Sequence, residues 1–284
     1  ANAVVQDFFT ADAYKSTRYG KIKPKIITTI AMFYDLDDPY EFVEDIKETL
    51  DDDGIWVLQL SYTPLMIKQL AFDNICHEHI CYYSLSSMKY LMDRAGFDIV
   101  DCTLNDVNGG SFRVFLMKKD GDKTKFRCKQ ERDVAEFRVN SLLEYEKTLK
   151  LNDPETYTNF FSEVCELKEK TVDFIKREVA AGKRIWGYGA STKGNTLLQW
   201  YGLNSEYIEA IAERSIYKFG LQTVATNIPI LPEDEMRENP PDYLLILPWH
   251  FVKEFSIRER EFIEGGGKFI VPCPKFLIYP DEEL

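Results

Sequence analysis

Arg184-Ile185-Trp186-Gly187-Tyr188-Gly189-Ala190-Ser191-Thr192-Lys193-Gly194-Asn195 is the stretch whose reading decides the fold class. Apolar residues run into two glycines one residue apart, and small polar residues follow where a helix opens. Strand, glycine turn and helix in succession form the repeating unit of a doubly wound α/β domain. The glycines permit a tight turn, and the helix N-terminus offers amide N–H groups and partial positive charge to an anion. Lys193 adds a formal charge, and Ser191 and Thr192 add hydroxyls. Glu213 lies 24 residues after Gly189, where dinucleotide folds carry the acid that binds ribose. Lys193 stands beside the expected third glycine, however, and Gly194 falls late. The turn therefore reads either as a nicotinamide site or as a tight strand-to-helix turn without a ligand.

Working outward, Tyr207–Glu213, Tyr243–Leu247 and Lys268–Val271 read as further strands. A helix over Phe251–Glu264 ends at Gly265-Gly266-Gly267. His250 falls just past a strand, where open α/β sheets bind ligands, and it equally suits the start of the following helix. Upstream, Glu131–Lys150 and Thr156–Ala181 alternate charged and apolar residues at helical period, as expected for a solvated helical linker. Earlier still, Ala3–Phe9 reads as a short strand, Pro24–Phe33 and Ile55–Leu60 as strands buried on both faces, and Tyr40–Leu50 and Ser86–Ala95 as amphipathic helices. Phe97–Cys102 and Ser111–Lys118 then read as an antiparallel pair. Asn108-Gly109-Gly110-Ser111 between them is a turn, or a backbone-lined ligand contact that its glycines allow.

The composition bounds the function. A chain of 284 residues suits two ordinary domains or one large one, and 45% hydrophobic residues supply a core. A net charge of −12 argues against a general nucleic-acid binder and against an anionic-membrane protein. Cys76, Cys81, Cys102, Cys128, Cys165 and Cys273 show no CxxC pairing, so reduced thiols in a soluble, cytoplasmic protein are expected. No apolar run approaches the length of a membrane span.

Two of the three histidines fall in Cys76-His77-Glu78-His79. Histidine moves protons near neutral pH, and a neighbouring carboxylate orients it or stabilises its charged form. A polar turn in which both imidazoles cap backbone groups is the alternative. A zinc site would need further ligands from Cys76, Cys81 or His250, and the i, i+2 spacing suits a helix poorly. No metal is expected here.

Four stretches in order resemble the SAM-dependent sugar C-methyltransferases, which act on nucleotide-linked keto-deoxysugars. They are Phe72-Asp73-Asn74-Ile75-Cys76-His77-Glu78-His79 with Tyr83-Ser84; Asn108-Gly109-Gly110-Ser111-Phe112-Arg113-Val114; Gly187 to Thr196; and Thr226-Asn227-Ile228-Pro229-Ile230 with Leu247-Pro248-Trp249-His250-Phe251. The resemblance implies an α/β chain in three parts. Residues 1–118 form the C-terminal portion of a class I (Rossmann-like) methyltransferase sheet. Residues 119–181 form the helical linker, and residues 182–284 a smaller Rossmann-like doubly wound domain. Members of that family begin with a zinc-binding domain and a glycine-rich SAM loop. The chain is expected to be truncated before both, with zinc confined to the missing domain and a missing N-terminal segment or second chain completing the site.

The resemblance also implies roles. Carbon methylation needs an enolate, so His79 is the base, Glu78 its orienting carboxylate and His77 a weaker participant. Cys76 stands where the sugar enzymes carry a tyrosine near the enolate oxygen, so either the substrate differs or Tyr82, Tyr83 or Tyr62 substitutes for it. Asp7, Phe8, Phe9, Ala31, Met32 and Phe33 correspond to loops that touch SAM. Asn108, Gly109, Gly189, Ser191, Asn195, Glu213 and His250 are expected at the substrate, a nucleotide-diphosphate sugar, with Arg113, Lys193 and Arg214 nearest its diphosphate. Two other readings stand beside this one. The first is a sugar-nucleotide binding module without catalysis; the second is a nicotinamide oxidoreductase using Gly187, Gly189 and Glu213.

Overall fold

A computed structural model describes residues 3–284, which divide into two compact units. The first runs up to Leu65 and resumes at Glu78–Asn152; the second comprises Met66–His77 and Asp153–Leu284.

The first unit carries α1 (Ala11–Lys15), β1 (Ile26–Ile30), α2 (Pro39–Thr49) and β2 (Ile55–Ser61), and the chain leaves it within α3 (Thr63–Lys68). It resumes with α4 (Leu85–Ala95), β3 (Phe97–Asn105), β4 (Ser111–Lys118) and α5 (Lys129–Thr148). The sheet order is β1-β2-β4-β3, with β1 and β2 parallel and β4 antiparallel to both its neighbours. An α/β sheet ending in an antiparallel pair is the outline expected. Local chemistry sets its helices. Asp38 accepts the Tyr40 and Glu41 amides at 3.0 Å with Pro39 at the first helical position, and Ser84 closes a capping box on α4. Phe33, Trp56 and Phe97 meet edge to face in the core, at centroid separations of 5.9 and 5.7 Å.

Three expectations change in this half. Ala3–Phe9 joins neither sheet; Phe8 is 90% exposed, and Phe9 leans on Phe42. β1 is not buried on both faces, because it lies at the sheet edge with Ile26 and Ile30 exposed and Thr29 buried against the Trp56 indole. Apolar content marks a strand but does not say whether a neighbour will cover its far side. The stretch 119–181, expected as a solvated linker, divides between the units. α5 buries Ala135 and Val139 in the first, whereas Phe160, Val164, Leu167, Val172 and Ile175 of α6 (Pro154–Ala180) enter the core of the second. Helical period with mixed charge is also the pattern of a helix with one buried face.

After α6, the second unit runs β5 (Ile185–Tyr188), α7 (Thr192–Tyr201), β6 (Ile211–Glu213), β7 (Ile230–Pro232), α8 (Glu233–Glu238) and β8 (Tyr243–Ile246). It finishes with α9 (Val252–Arg258), α10 (Arg260–Glu264), β9 (Lys268–Val271) and β10 (Leu277–Tyr279). The sheet order is β10-β9-β8-β5-β6-β7, parallel except for β10. The chain moves outward from β5 to β7 and returns to β8 on the other side of β5. The order thus reverses between β5 and β8, which makes their carboxyl ends the natural binding crevice of such a sheet. The single helix expected over Phe251–Glu264 is interrupted at Glu259, whose buried carboxylate accepts the Tyr188 hydroxyl at 2.6 Å and binds Arg237. Met66, Ala71 and Phe72 are part of this unit's core, and Phe72 stacks on Tyr201 at 5.5 Å. Among the described residues no helix is long and apolar enough to cross a membrane.

Candidate active site

The glycine turn sits at the switch point of the second unit. Gly189 has φ +84°, and a Cβ there would lie 2.7 Å from the Pro248 ring. Gly189→Ala is therefore expected to destabilise the second unit by about 2 kcal/mol, the order of one strained left-handed residue, read as a lowered denaturant midpoint at unchanged slope. The turn's donors are already engaged. The Gly189 amide donates to Ala212 O at 2.8 Å, and the Ala190 amide to Glu213 Oε2 at 2.9 Å. The other Glu213 oxygen accepts the Arg214 and Ser215 amides at 2.8 and 2.9 Å, while Ser191 caps α7 by accepting from Gly194 at 3.0 Å. Glu213 is thus the turn's own anion, and a phosphate or ribose approaching Ala190 would have to displace it. Beside it lies a cleft of about 310 Å³ lined by Gly189, Ser191, Glu213, Arg214, Lys218 and Arg258, among others. Lys218 donates to Ala190 O at 2.6 Å, Arg258 bonds Glu233 at 3.0 Å, and Arg214 is exposed.

Lys193, expected beside a diphosphate, is not among the residues lining this cleft. It lies instead in the fields of Asp73, Cys76 and His250. Asp73 is 0% exposed, and its Oδ2 accepts the Trp249 indole N–H at 2.9 Å. Burial raises the Asp73 carboxyl above the usual carboxylate range, while Lys193 and the indole pull it back. Burial likewise lowers the Lys193 ammonium, opposed by Asp73 and Cys76. His250 stands in a 3-10 turn, Trp249–Phe251, with its Nδ1 buried and unpartnered; Asn195 Oδ1 is likewise buried without a partner.

Burial, then Lys193, pushes His250 down to about 4. The unfolded chain therefore binds more protons than the folded one between about pH 4 and 6.5, and the neutral imidazole's contribution is lost as pH falls through that window. His250→Gln is expected to flatten the fall in stability over this range, measured as denaturant midpoint against pH.

In the first unit the half-buried His79 ring lies 4.2 Å from the Tyr34 ring, and Tyr34 O accepts the Ile80 and Cys81 amides at 2.9 and 3.0 Å. Glu78 and His77 are exposed, and the boundary between the units passes between them. Several expected ligand groups are committed elsewhere. Tyr62 is buried with its hydroxyl on Glu146 at 2.7 Å, which with burial holds that phenol well above its ordinary range. Tyr83 is buried against Phe33 and engages Cys81, leaving Tyr82 as the exposed member of the three. Phe33 is a core side chain, so its ring is closed to a ligand. Asp7 is exposed and accepts the Phe8 amide at 2.8 Å, and Met32 is partly buried. Ala31, just past β1, holds φ +54°, a strained conformation of the kind that collects at functional sites. Asn108, Gly109 and Gly110 are all left-handed, with φ of 55°, 83° and 125°, so the turn accounts for the glycines. Arg113 grips Gln59 Oε1 at 2.8 and 2.6 Å. Among the described residues no three His, Cys, Asp or Glu side chains gather to hold a metal ion.

Tyr34, Glu146 and the Asp73–Trp249 pair escaped the sequence reading. Asp73 and Trp249 lay in the quoted motifs, but nothing local joins residues 176 positions apart.

Comparison with known proteins adds to this geometry. The family described as C-methyltransferase C-terminal domain matches residues 106–274, and the one described as methyltransferase domain matches residues 1–101. C-methyltransferase NovU of Streptomyces niveus is 31% identical over 269 residues, which is 94% of this chain and 61% of that relative. The chain thus spans about three-fifths of the relative's length. On the match over 106–274, the chain belongs to the C-methyltransferase family.

Proposed function

We propose that the protein transfers a methyl group from SAM to carbon, on a nucleotide-linked keto sugar, with His79 as the base. The observation that carries this reading is the His79 ring, half-buried on the Tyr34 ring where the Ile80 and Cys81 amides bond Tyr34 O, within a chain of this family. His79 takes the proton from the carbon beside the ketone, and the C–H electron pair becomes the enolate. The enolate carbon forms the new C–C bond, and the electrons of the broken S–C bond leave with sulfur. SAM, when bound, supplies a methyl made electrophilic by its sulfonium. Glu78 stabilises the imidazolium, and Tyr82 or the weaker Cys76 thiol donates to the enolate oxygen.

Phe8, Phe9, Ala31 and Met32 suit the SAM side: Phe8 and Ala31 are exposed, and the turn at Ala31 follows the carboxyl end of a parallel strand. Within the second unit, Arg214 is an exposed cation lining the cleft beside Gly189, as a diphosphate contact would require. The nicotinamide reading loses support, because Glu213 is held by three backbone amides.

The test is to incubate the full-length gene product with methyl-labelled SAM and nucleotide-linked keto sugars. Label on a sugar carbon supports the proposal; label only on oxygen or nitrogen, or none, overturns it. Nucleotide-sugar binding without methyl transfer would favour the binding module.

A further inference from the structure

We propose that Tyr34 is the positioning residue of the base: its ring seats the His79 imidazole, while its carbonyl fixes the backbone just beyond. The catalytic half of this inference rests on the function proposed above; the structural half does not. All the residues involved belong to the first unit. The turn Phe33–Asp35 follows β1 and is closed by the Asp35 amide on Met32 O at 3.0 Å. Phe33, fully buried, anchors it among the rings of Phe42, Trp56 and Tyr83, the last at 5.4 Å. Tyr34 is 7% exposed, and its carbonyl accepts two successive amides, Ile80 at 2.9 Å and Cys81 at 3.0 Å. Beyond them Tyr83 bridges Tyr62 in parallel, and its carbonyl accepts the Thr63 amide at 3.0 Å. The backbone of residues 80–83 is thus held at both ends.

A fixed backbone does not by itself aim a side chain. Histidine keeps two rotatable bonds, and His77, Glu78 and Ile80 beside it in sequence are exposed. The Tyr34 ring supplies the wall, with its centroid 4.2 Å from that of His79 and the planes at 51°. At that separation the rings touch, so turning the imidazole about either bond breaks the contact or drives the rings together. The phenol stands on a buried side chain, and a wall locked by its own packing does not yield. A base must lie within hydrogen-bond reach of the proton it takes, and a misplacement of about 1 Å can cost about 10²-fold in rate. Tyr34 touches neither substrate in this scheme; it acts through His79.

The test compares Tyr34→Leu and Tyr34→Phe with the parent in the full-length gene product, by nuclear magnetic resonance of labelled histidine and tyrosine rings and by methyl-transfer kinetics. The His79 signals are identified by their loss in His79→Ala. In the parent, cross-relaxation between the Tyr34 and His79 ring protons is expected, and its absence overturns the proposal whether or not a variant folds. Leucine keeps the backbone carbonyl and removes the ring. The ring-current shift of the His79 signals is expected to vanish in that variant, and kcat to fall about tenfold at unchanged KM for both substrates. Phenylalanine keeps the ring, so it is expected to retain the shift and to hold kcat within about twofold of the parent. A leucine variant with parent-like kcat, a change in KM alone, or equal losses in the two variants overturns the proposal. A parent protein that transfers no methyl overturns the catalytic half together with the function it rests on, and the cross-relaxation still decides the ring contact.

Discussion

His79→Ala is expected to lower the single-turnover rate of methyl transfer to carbon by about 10²- to 10⁴-fold, the range that a positioned general base contributes. Binding of both substrates should change little, because the ring is only half-buried and its contact with Tyr34 is one aromatic face among many. Removing the imidazole leaves the Tyr34 carbonyl with its two backbone amides, so the local chain stays in place while the proposed proton acceptor is lost. On the mechanism proposed above, the enolate would then form only by way of solvent, and the loss should appear in kcat more than in KM. Glu78→Gln keeps the shape of the neighbour and removes its charge, so a smaller loss is expected. An alanine variant that keeps most of the parent rate would move the base to another residue.

Glu146→Ala should produce the largest loss of stability in the first unit, about 3–5 kcal/mol. One carboxylate there serves three donors: the Tyr62 hydroxyl at 2.7 Å, the Leu85 amide and the Ser86 amide at 2.8 Å. Two of them are the opening amides of α4, of which the buried Leu85 amide would otherwise lack a partner. Alanine leaves all three donors unsatisfied. Tyr62→Phe removes one donor and keeps the cap, so its cost should be about 1–2 kcal/mol. Denaturant melts of the two variants separate the cap from the phenol, and equal losses would mean that the amides find other acceptors. This carboxylate also explains why Tyr62 is a poor candidate for the enolate oxygen.

What the sequence disclosed follows from how far each cause reaches. Ser111–Lys118 was legible to its ends because a short apolar run bounded by a glycine turn and charged residues is a local signal, and the turn at Gly189 because glycine spacing is local. The edge position of β1 was not, since Ile26 and Ile30 look the same whether or not a neighbour covers them. The linker expected over 119–181 failed similarly: mixed charge did not reveal that α5 would bury Val139. At the site, the Cys76–His79 cluster stood out by residue type. Glu213 was read as a ligand group because its position fits one, yet three backbone amides hold its carboxylate. Tyr62 and Glu146 meet across 84 residues, a pairing that no local pattern announces.

The borrowed segment Met66–His77 also bears on how the molecule is made. A ribosome delivers these twelve residues well before α6 and the sheet that receives them. Until then Phe72 and Met66 have no core to enter, and they wait on a partly finished chain as uncovered apolar surface. The second unit closes only when its late sheet captures this early stretch, a long-range contact that slows folding. Cutting the gene between Asn152 and Asp153 would therefore not yield two independent pieces, because the later piece would begin without part of its own interior.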